Sequence, residues 1–263
     1  MTAIPPVVLS LSGHDPTGGA GIQADIETLR RLGCHPCAVV TALTAQDTHN
    51  VTRVIPQSAD DFLEQARLVL ADMPVAAVKI GLLGSVEIVR AVADILAELG
   101  REIPVVLDPV LAAGGGRNLS TEALVAEIRA RLMPRATVVT PNTPEARKLA
   151  GQDDLNECAR ALLAMGCPNV LLTGTHEDGP DVVNRWYNSG GERAYRWPRL
   201  PDTYHGSGCT LASAVAAGLA RGMPMADAVQ EAQRFTWEAL RRGVRLGGGQ
   251  LLPNRWGWDG AHP

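Results

Sequence analysis

Lysine is almost absent from this chain. It occurs only as Lys79 and Lys148. Neither stands in a G-x-x-x-x-G-K-[ST] run, so a P-loop nucleotide site is excluded. Aromatic residues make up only 4%, which argues against a platform that stacks nucleic-acid bases. Positive charge is not in excess either: 24 Lys and Arg stand against 28 Asp and Glu, for a formal net charge of −4. A general nucleic-acid binder needs clustered positive charge for phosphate contacts, so that class is excluded too. No apolar run reaches the ~20 residues of a membrane span. The longest helix-like one, Leu211 to Ala220, ends at Arg221. The start, Met1-Thr-Ala-Ile-Pro-Pro6, lacks the basic region of a signal peptide. The five cysteines (34, 37, 158, 167 and 209) have no framework spacing. They read as reduced thiols in a cytoplasmic protein. Cys34-His-Pro-Cys37 has no second pair to complete a zinc site and is read as structural.

What remains is an ordinary globular composition over 263 residues, 46% hydrophobic and 20% charged. The dominant pattern alternates short β-branched runs with amphipathic stretches. Strands are expected at Val7–Ser12, Ala38–Leu43, Val75–Ile80, Val105–Asp108, Thr137–Thr140 and Val170–Thr173. Apolar residues at helical spacing follow them, as in Ile22, Ile26 and Leu29 or Ile88, Val92, Ile95 and Leu99. Ser85 is the expected N-cap of the latter stretch, and Thr143-Pro144 reads as a cap followed by proline at the first helical position. Strands that are apolar throughout imply a mostly parallel sheet with helices on both faces, a three-layer α/β fold. Val182–Tyr187 and Arg193–Trp197 break the rhythm as a β-hairpin, and two more helices are expected at Cys209–Ala220 and Met225–Arg242. The expectation is one domain over 1–263, with 247–263 as a tail rich in Gly, Pro and Trp.

Ligands of such sheets bind beyond the carboxyl ends of the strands. Asp15, Gln46, Gly81, Asp108, Asn142 and Gly174 follow the expected strands there. Four loops in this zone can carry chemistry. Ser12-Gly-His-Asp-Pro-Thr-Gly-Gly-Ala-Gly-Ile-Gln-Ala-Asp25 puts Gly18, Gly19 and Gly21 between strand and helix. It is either a close approach to a ligand or a tight turn. Gly206-Ser-Gly-Cys209 opens an apolar helix, where successive N–H groups can hold developing negative charge. The same position can lower the Cys209 pKa, or Cys209 can be a small buried residue. Asn142 and Glu145 flank a helix start. Glu145 can hold Mg²⁺ through water or merely complement the helix dipole. Asp108, followed by Gly114-Gly-Gly116, suits a phosphate or metal neighbourhood or a plain turn.

Taken in this order, the loops resemble the ribokinase-like superfamily. Within it they resemble the hydroxymethylpyrimidine/phosphomethylpyrimidine kinases of thiamine biosynthesis. The resemblance runs from about residue 7 to about residue 254. It rests on the segments 12–25, Thr41-Ala-Leu-Thr-Ala-Gln-Asp-Thr48, Val78-Lys-Ile-Gly81, Asp108-Pro-Val110, Thr140-Pro-Asn-Thr-Pro-Glu-Ala146 and Gly206-Ser-Gly-Cys-Thr-Leu211. It implies transfer of the γ-phosphoryl group of ATP, with Mg²⁺, to hydroxymethylpyrimidine and then to its monophosphate. By that resemblance Gln46, Asp25, Gly13 and Gly19 lie at the pyrimidine. Asn142, Thr173, Gly174 and Thr210 lie at the nucleotide, and Glu145 with Asp108 at the metal. Gly206, Ser207 and Gly208 form the anion hole, and Cys209 stands where many sugar kinases of the superfamily carry an aspartate base. A homodimer is implied by the same analogy, with the hairpin as one candidate interface.

The chain departs from the commonest family pattern at Leu82, Asp47 and Gly249-Gln250, and most at Thr173-Gly-Thr-His176, where many members have Lys-Gly-Gly-His. Three rival readings are a pyridoxal kinase, a Cys209-dependent acyl-transfer enzyme with His205 or His14 as base, and a non-catalytic pyrimidine sensor. The acyl-transfer reading requires a Cys–His contact.

Overall fold

The expected strands are apolar because both of their faces are covered. The computed structural model describes residues 4–257. Strands β1 (Val7–His14), β2 (His35–Gln46), β3 (Val51–Pro56), β4 (Val75–Ile80), β5 (Val105–Leu107), β6 (Val138–Val139), β7 (Val170–Leu172), β8 (Asp181–Asn188) and β9 (Gly191–Pro198) join one sheet in the order β3-β2-β1-β4-β5-β6-β7-β8-β9. From β2 through β7 the pairings are parallel. Antiparallel strands close both edges: β3 on β2, and the hairpin β8–β9 on β7. The chain order reverses beside β1, between β2 and β4, and this is where open α/β sheets bind ligands.

Strand periodicity divides the core in two. Val7, Leu9 and Leu11 point to one face with Val78 and Ile80. There they meet Phe62 of α2 (Ala59–Asp72), Ile88, Val92 and Ile95 of α3 (Val86–Glu98) and Leu162 of the later helix Leu155–Ala164. Val8 and Ala77 point the other way. They meet Leu29 of α1 (Gly21–Arg31), and Val215 and Val229 of the two last helices, Ser207–Ala220 and Met225–Arg241. Helices α4 (Glu122–Glu127), α5 (Thr143–Ala150), α6 (Leu155–Ala164), α7 (Ser207–Ala220) and α8 (Met225–Arg241) complete the set. α7 is buried nearly all round, as expected of a helix apolar on every side.

Ser85 caps α3 as expected, accepting a hydrogen bond from the Ile88 N–H. Other expectations need correction. The cap of α5 is Asn142, one residue earlier than expected, so Thr143 and Pro144 are its first two helical residues. Asn142 wins because its carboxamide reaches the Glu145 N–H while the Glu145 carboxylate reaches back to the Asn142 N–H, a reciprocal capping box. α7 begins at Ser207 rather than Cys209, and β2 extends through Gln46. β3 was not anticipated: Thr52 and Arg53 are exposed on this edge strand and break its apolar pattern. Residues 247–257 are not a loose tail. Backbone bonds join Gln250 to Thr48, Leu251 to Thr203, and Leu252 to Val244, so this segment straps the end of the sheet. Trp256 is exposed, and Trp258 lies outside the described residues.

Phe62 is fully enclosed between α2 and the sheet. Phe62→Ala is expected to lower unfolding free energy by roughly 3–5 kcal/mol, seen as a lower urea midpoint at unchanged slope.

Candidate active site

The site is built on a buried ion pair. Along β1 and β4, the positions in line with Val8 and Ala77 are Ser10, Ser12 and Lys79, all fully buried. Lys79 Nζ lies 2.8 Å from Asp25 Oδ1 of α1 and 3.0 Å from Ser12 Oγ. Ser10 and Ser213 donate to the two oxygens of Asp25 at 2.6 and 2.7 Å. The ammonium pKa is raised: burial works against the charge, but Asp25, with Cys209 and Asp108, outweighs it. Asp25, which the resemblance sets at the pyrimidine, has its carboxylate turned to the interior. It is enclosed and occupied by three partners beneath the site.

Above this pair two glycine loops meet. Asp15, directly after β1, accepts from Thr17 N–H and Oγ1–H and from Ala20 N–H, and its Oδ2 lies 2.7 Å from His205 Nε2. Burial pushes the Asp15 pKa up, yet the bonds from His205 and Thr17 outweigh it and hold it below the usual carboxylate value. Gly206 adopts φ +88°, and a Cβ there would overlap the Gly19 carbonyl oxygen. A Cβ on Gly19 would collide with His205 and Leu252 at 2.5 Å. Gly13 lies under Gly21 in the same way, with its carbonyl oxygen where a Gly21 Cβ would have to go. Gly13 and Gly19 are both buried and serve close packing between loops. Thr210, expected at the nucleotide, is fully buried and donates its hydroxyl to the Gly206 carbonyl at 2.8 Å. It belongs to the interior of the loop.

The first turn of α7 lies over β5. No side chain caps the N–H groups after Gly206, and unpaired N–H groups at a helix start favour an anion. Gly208 is exposed, and a Cβ on it would sit 3.8 Å from Asp108 Oδ1. Asp108 is buried and its Oδ2 has no protein partner. Its pKa rises to about 6 because burial and the charge of Asp25 outweigh Lys79. Glu145 accepts from the Leu111 and Asn142 N–H groups at 3.1 Å each, and burial next to Asp108 raises it to about 8. Cys209 is pushed up to about 12 by burial, against the pull of Lys79 and with Asp108 and Asp25 adding to the rise. At neutral pH it is a thiol; the helix start does not make it a thiolate. His205, one of the two candidate bases of the acyl-transfer reading, is engaged with Asp15 instead.

Gln46 lines a narrow cleft with Asn50, Gly114, Gly115, His205 and Gln250. Asn50 donates to the Gly115 carbonyl at 3.1 Å, bringing the glycine run of 114–116 against the β2–β3 turn. Asn142 and Thr173 pair across the ends of β6 and β7. Thr173 is half-buried, whereas the Gly174 N–H is given to Asn184 at 3.0 Å. The structure thus brings together Asp108, Glu145 and residues 206–209, sets Gln46 beside His205, and sets Asn142 beside Thr173. Sequence reasoning missed the tie from Asp15 to His205, the Lys79 partner of Asp25, and Arg255. Arg255 lies 236 positions from its partner Gly19, and no local spacing announces such a contact.

A mostly parallel three-layer sheet, two glycine loops at its switch point and an open helix start over a carboxylate define a small-molecule kinase of the ribokinase-like fold. Solved neighbours share it. A Bacillus subtilis pyridoxal kinase in complex with ADP superposes with TM-score 0.88 at 29% identity, covering 95% of this chain and 97% of its own. A Clostridium difficile phosphomethylpyrimidine kinase superposes with TM-score 0.78 at 31% identity, covering 89% and 99%. The chain belongs to the phosphomethylpyrimidine kinase family, whose model matches residues 15–254. A hydroxymethylpyrimidine/phosphomethylpyrimidine kinase of Streptomyces coelicolor is 42% identical over 97% of this chain and 95% of its own length. The Escherichia coli protein of the same name is 39% identical over 90% and 92%.

Two outcomes follow from the pKa directions. Iodoacetamide should alkylate Cys209 slowly in the substrate-free protein, without a rate inflection between pH 7 and 9, as peptide mass mapping would record. Asp15 has a lowered folded pKa, so its stabilisation is present above the unfolded value, near pH ~4, and is lost as pH falls through the folded one. Asp15→Asn should therefore lower melting temperature at pH 6 and flatten its fall between pH 5 and 3.

Proposed function

We propose that this chain transfers the γ-phosphoryl group of ATP to the hydroxyl of 4-amino-5-hydroxymethyl-2-methylpyrimidine, and then to the resulting monophosphate, in cytoplasmic thiamine biosynthesis. The observation that carries the reading is the uncapped start of α7 at Gly206–Cys209, set over Asp108 in a chain of this kinase family. Phosphoryl transfer requires positioning and charge stabilisation more than covalent chemistry. The Ser207, Gly208 and Cys209 N–H groups face the transferred phosphoryl. The neutral Cys209 thiol positions the substrate hydroxyl. Gln46 offers a donor and an acceptor to the aminopyrimidine edge, and Asn142 and Thr173 meet the nucleotide phosphates.

Mg²⁺ fits the carboxylates present. Asp108 Oδ2 is buried without a hydrogen-bond partner, and the Asp108 charge beside Glu145 raises the Glu145 pKa. Among the described residues no group of three or more His, Cys, Asp or Glu side chains gathers as a metal site. This suits an ion held chiefly by water and substrate phosphates, with one or two carboxylates. When bound it neutralises phosphate charge. A homodimer forms part of the same reading, to be checked by light scattering.

The pyridoxal kinases among the structural neighbours support a second reading, in which the same cleft takes pyridoxal. ADP release with ATP and Mg²⁺ separates the two. Turnover of both pyrimidines supports the proposal, and turnover of pyridoxal alone replaces it. No ADP from folded protein that still binds the pyrimidine would indicate a sensor. Gln46→Ala should raise KM for the pyrimidine about tenfold, the loss of a buried polar contact, with KM for ATP nearly unchanged.

A further inference from the structure

We infer that Arg255 is a positioning residue for phosphoryl transfer, holding the anion-binding turn of α7 in place from the C-terminal strap. The inference rests on the kinase reading for its catalytic consequence. Arg255 is among the largest fully enclosed side chains of the protein, and a buried guanidinium is tolerated only when its donors are satisfied. Here they are. Nε–H donates to Thr210 Oγ1 at 2.9 Å, one Nη pairs with Glu27 at 3.0 Å, and the other donates to the Gly19 carbonyl.

The geometry gives these bonds a direction. Because Thr210 Oγ1 accepts from Arg255, its own proton is directed to the Gly206 carbonyl, 2.8 Å away. That carbonyl shares a planar peptide with the Ser207 N–H. Fixing one fixes where the other points, and the Ser207 N–H opens the anion-binding turn. Arg255 also holds the Gly19 carbonyl, against which Gly206 packs too closely for any side chain. The guanidinium thus ties both glycine loops to the strap. Arg255 lies just past the 15–254 stretch matched by the family model.

The test compares Arg255→Met, Arg255→Lys and Thr210→Val in the full chain. Arg255→Met and Thr210→Val should each lower kcat at least about tenfold, equivalent to ~1.4 kcal/mol of barrier. KM for the pyrimidine and for ATP should change less than about threefold, because the hydrogen bonds removed support the transition state rather than the bound substrates. Arg255→Lys, which keeps the charge on a single donor nitrogen, should recover part of kcat. Amide hydrogen exchange over residues 206–209 should accelerate in Arg255→Met and Thr210→Val. Folded variants that keep the parental kcat, or that lose activity with unchanged exchange over 206–209, would overturn the inference. If Arg255→Met does not fold, the isosteric Thr210→Val carries the same test. If the parent releases no ADP at all, the kinase reading fails, while the exchange measurement still decides whether Arg255 orders the turn.

Discussion

The ion pair between Lys79 and Asp25 is the constraint on which the rest of the site depends. It lies where β1, β4, α1 and α7 meet, and each contributes a group: Ser10 and Ser12, Lys79, Asp25, and Ser213. Removing two charges from water is costly and is offset only where geometry and extra hydrogen bonds are good. Here both Asp25 oxygens and the ammonium are engaged, so the pair fixes how α1 and α7 sit on the sheet. The two glycine loops are the entrances to those helices. The pair also sets charge from below, since Lys79 lowers the pKa of Cys209 and Asp108 while Asp25 raises both.

From that base the chemistry follows with few parts. Asp108 is left with an unpartnered oxygen under an exposed glycine at the start of α7. Glu145 does two jobs: it closes the capping box of α5 and sits as a second buried carboxylate near Asp108. The two readings of Glu145 open in the sequence, dipole partner and metal neighbour, are thus compatible. Each of its oxygens accepts one backbone N–H. Cys209 is a neutral thiol, so the α7 helix start acts on an incoming anion and not on the sulfur.

Much of the fold was legible because long apolar runs and amphipathic spacing are local signals. β4 was read to the residue, and Ser85 capped α3 as its position required. The loops that carry chemistry were legible too, because glycines and carboxylates at strand ends are short-range patterns. What escaped depends on contacts across the chain. The resemblance set Asp25 at the pyrimidine, but nothing local announces its buried partner Lys79, 54 positions away. Gly19 and Gly206 looked like two separate ligand loops. Gly206 has no side chain because the Gly19 carbonyl fills that space, and Gly19 has none because His205 and Leu252 do. The strap at 247–257 has no helical period and so read as a tail. Its order comes from bonds to Thr48, Thr203 and Val244 and from the burial of Arg255.

A double-mutant cycle on the buried pair tests this account most directly. Unfolding free energies would be measured for Lys79→Met, Asp25→Asn and the double variant, with the parent as reference. The account predicts that each single change costs roughly 3–5 kcal/mol, because it strands a buried charge. The double variant should lose clearly less than the sum, by at least ~2 kcal/mol of coupling. Losses that add to within ~0.5 kcal/mol would mean that the two charges act independently, and would contradict the ion pair as the foundation of the site.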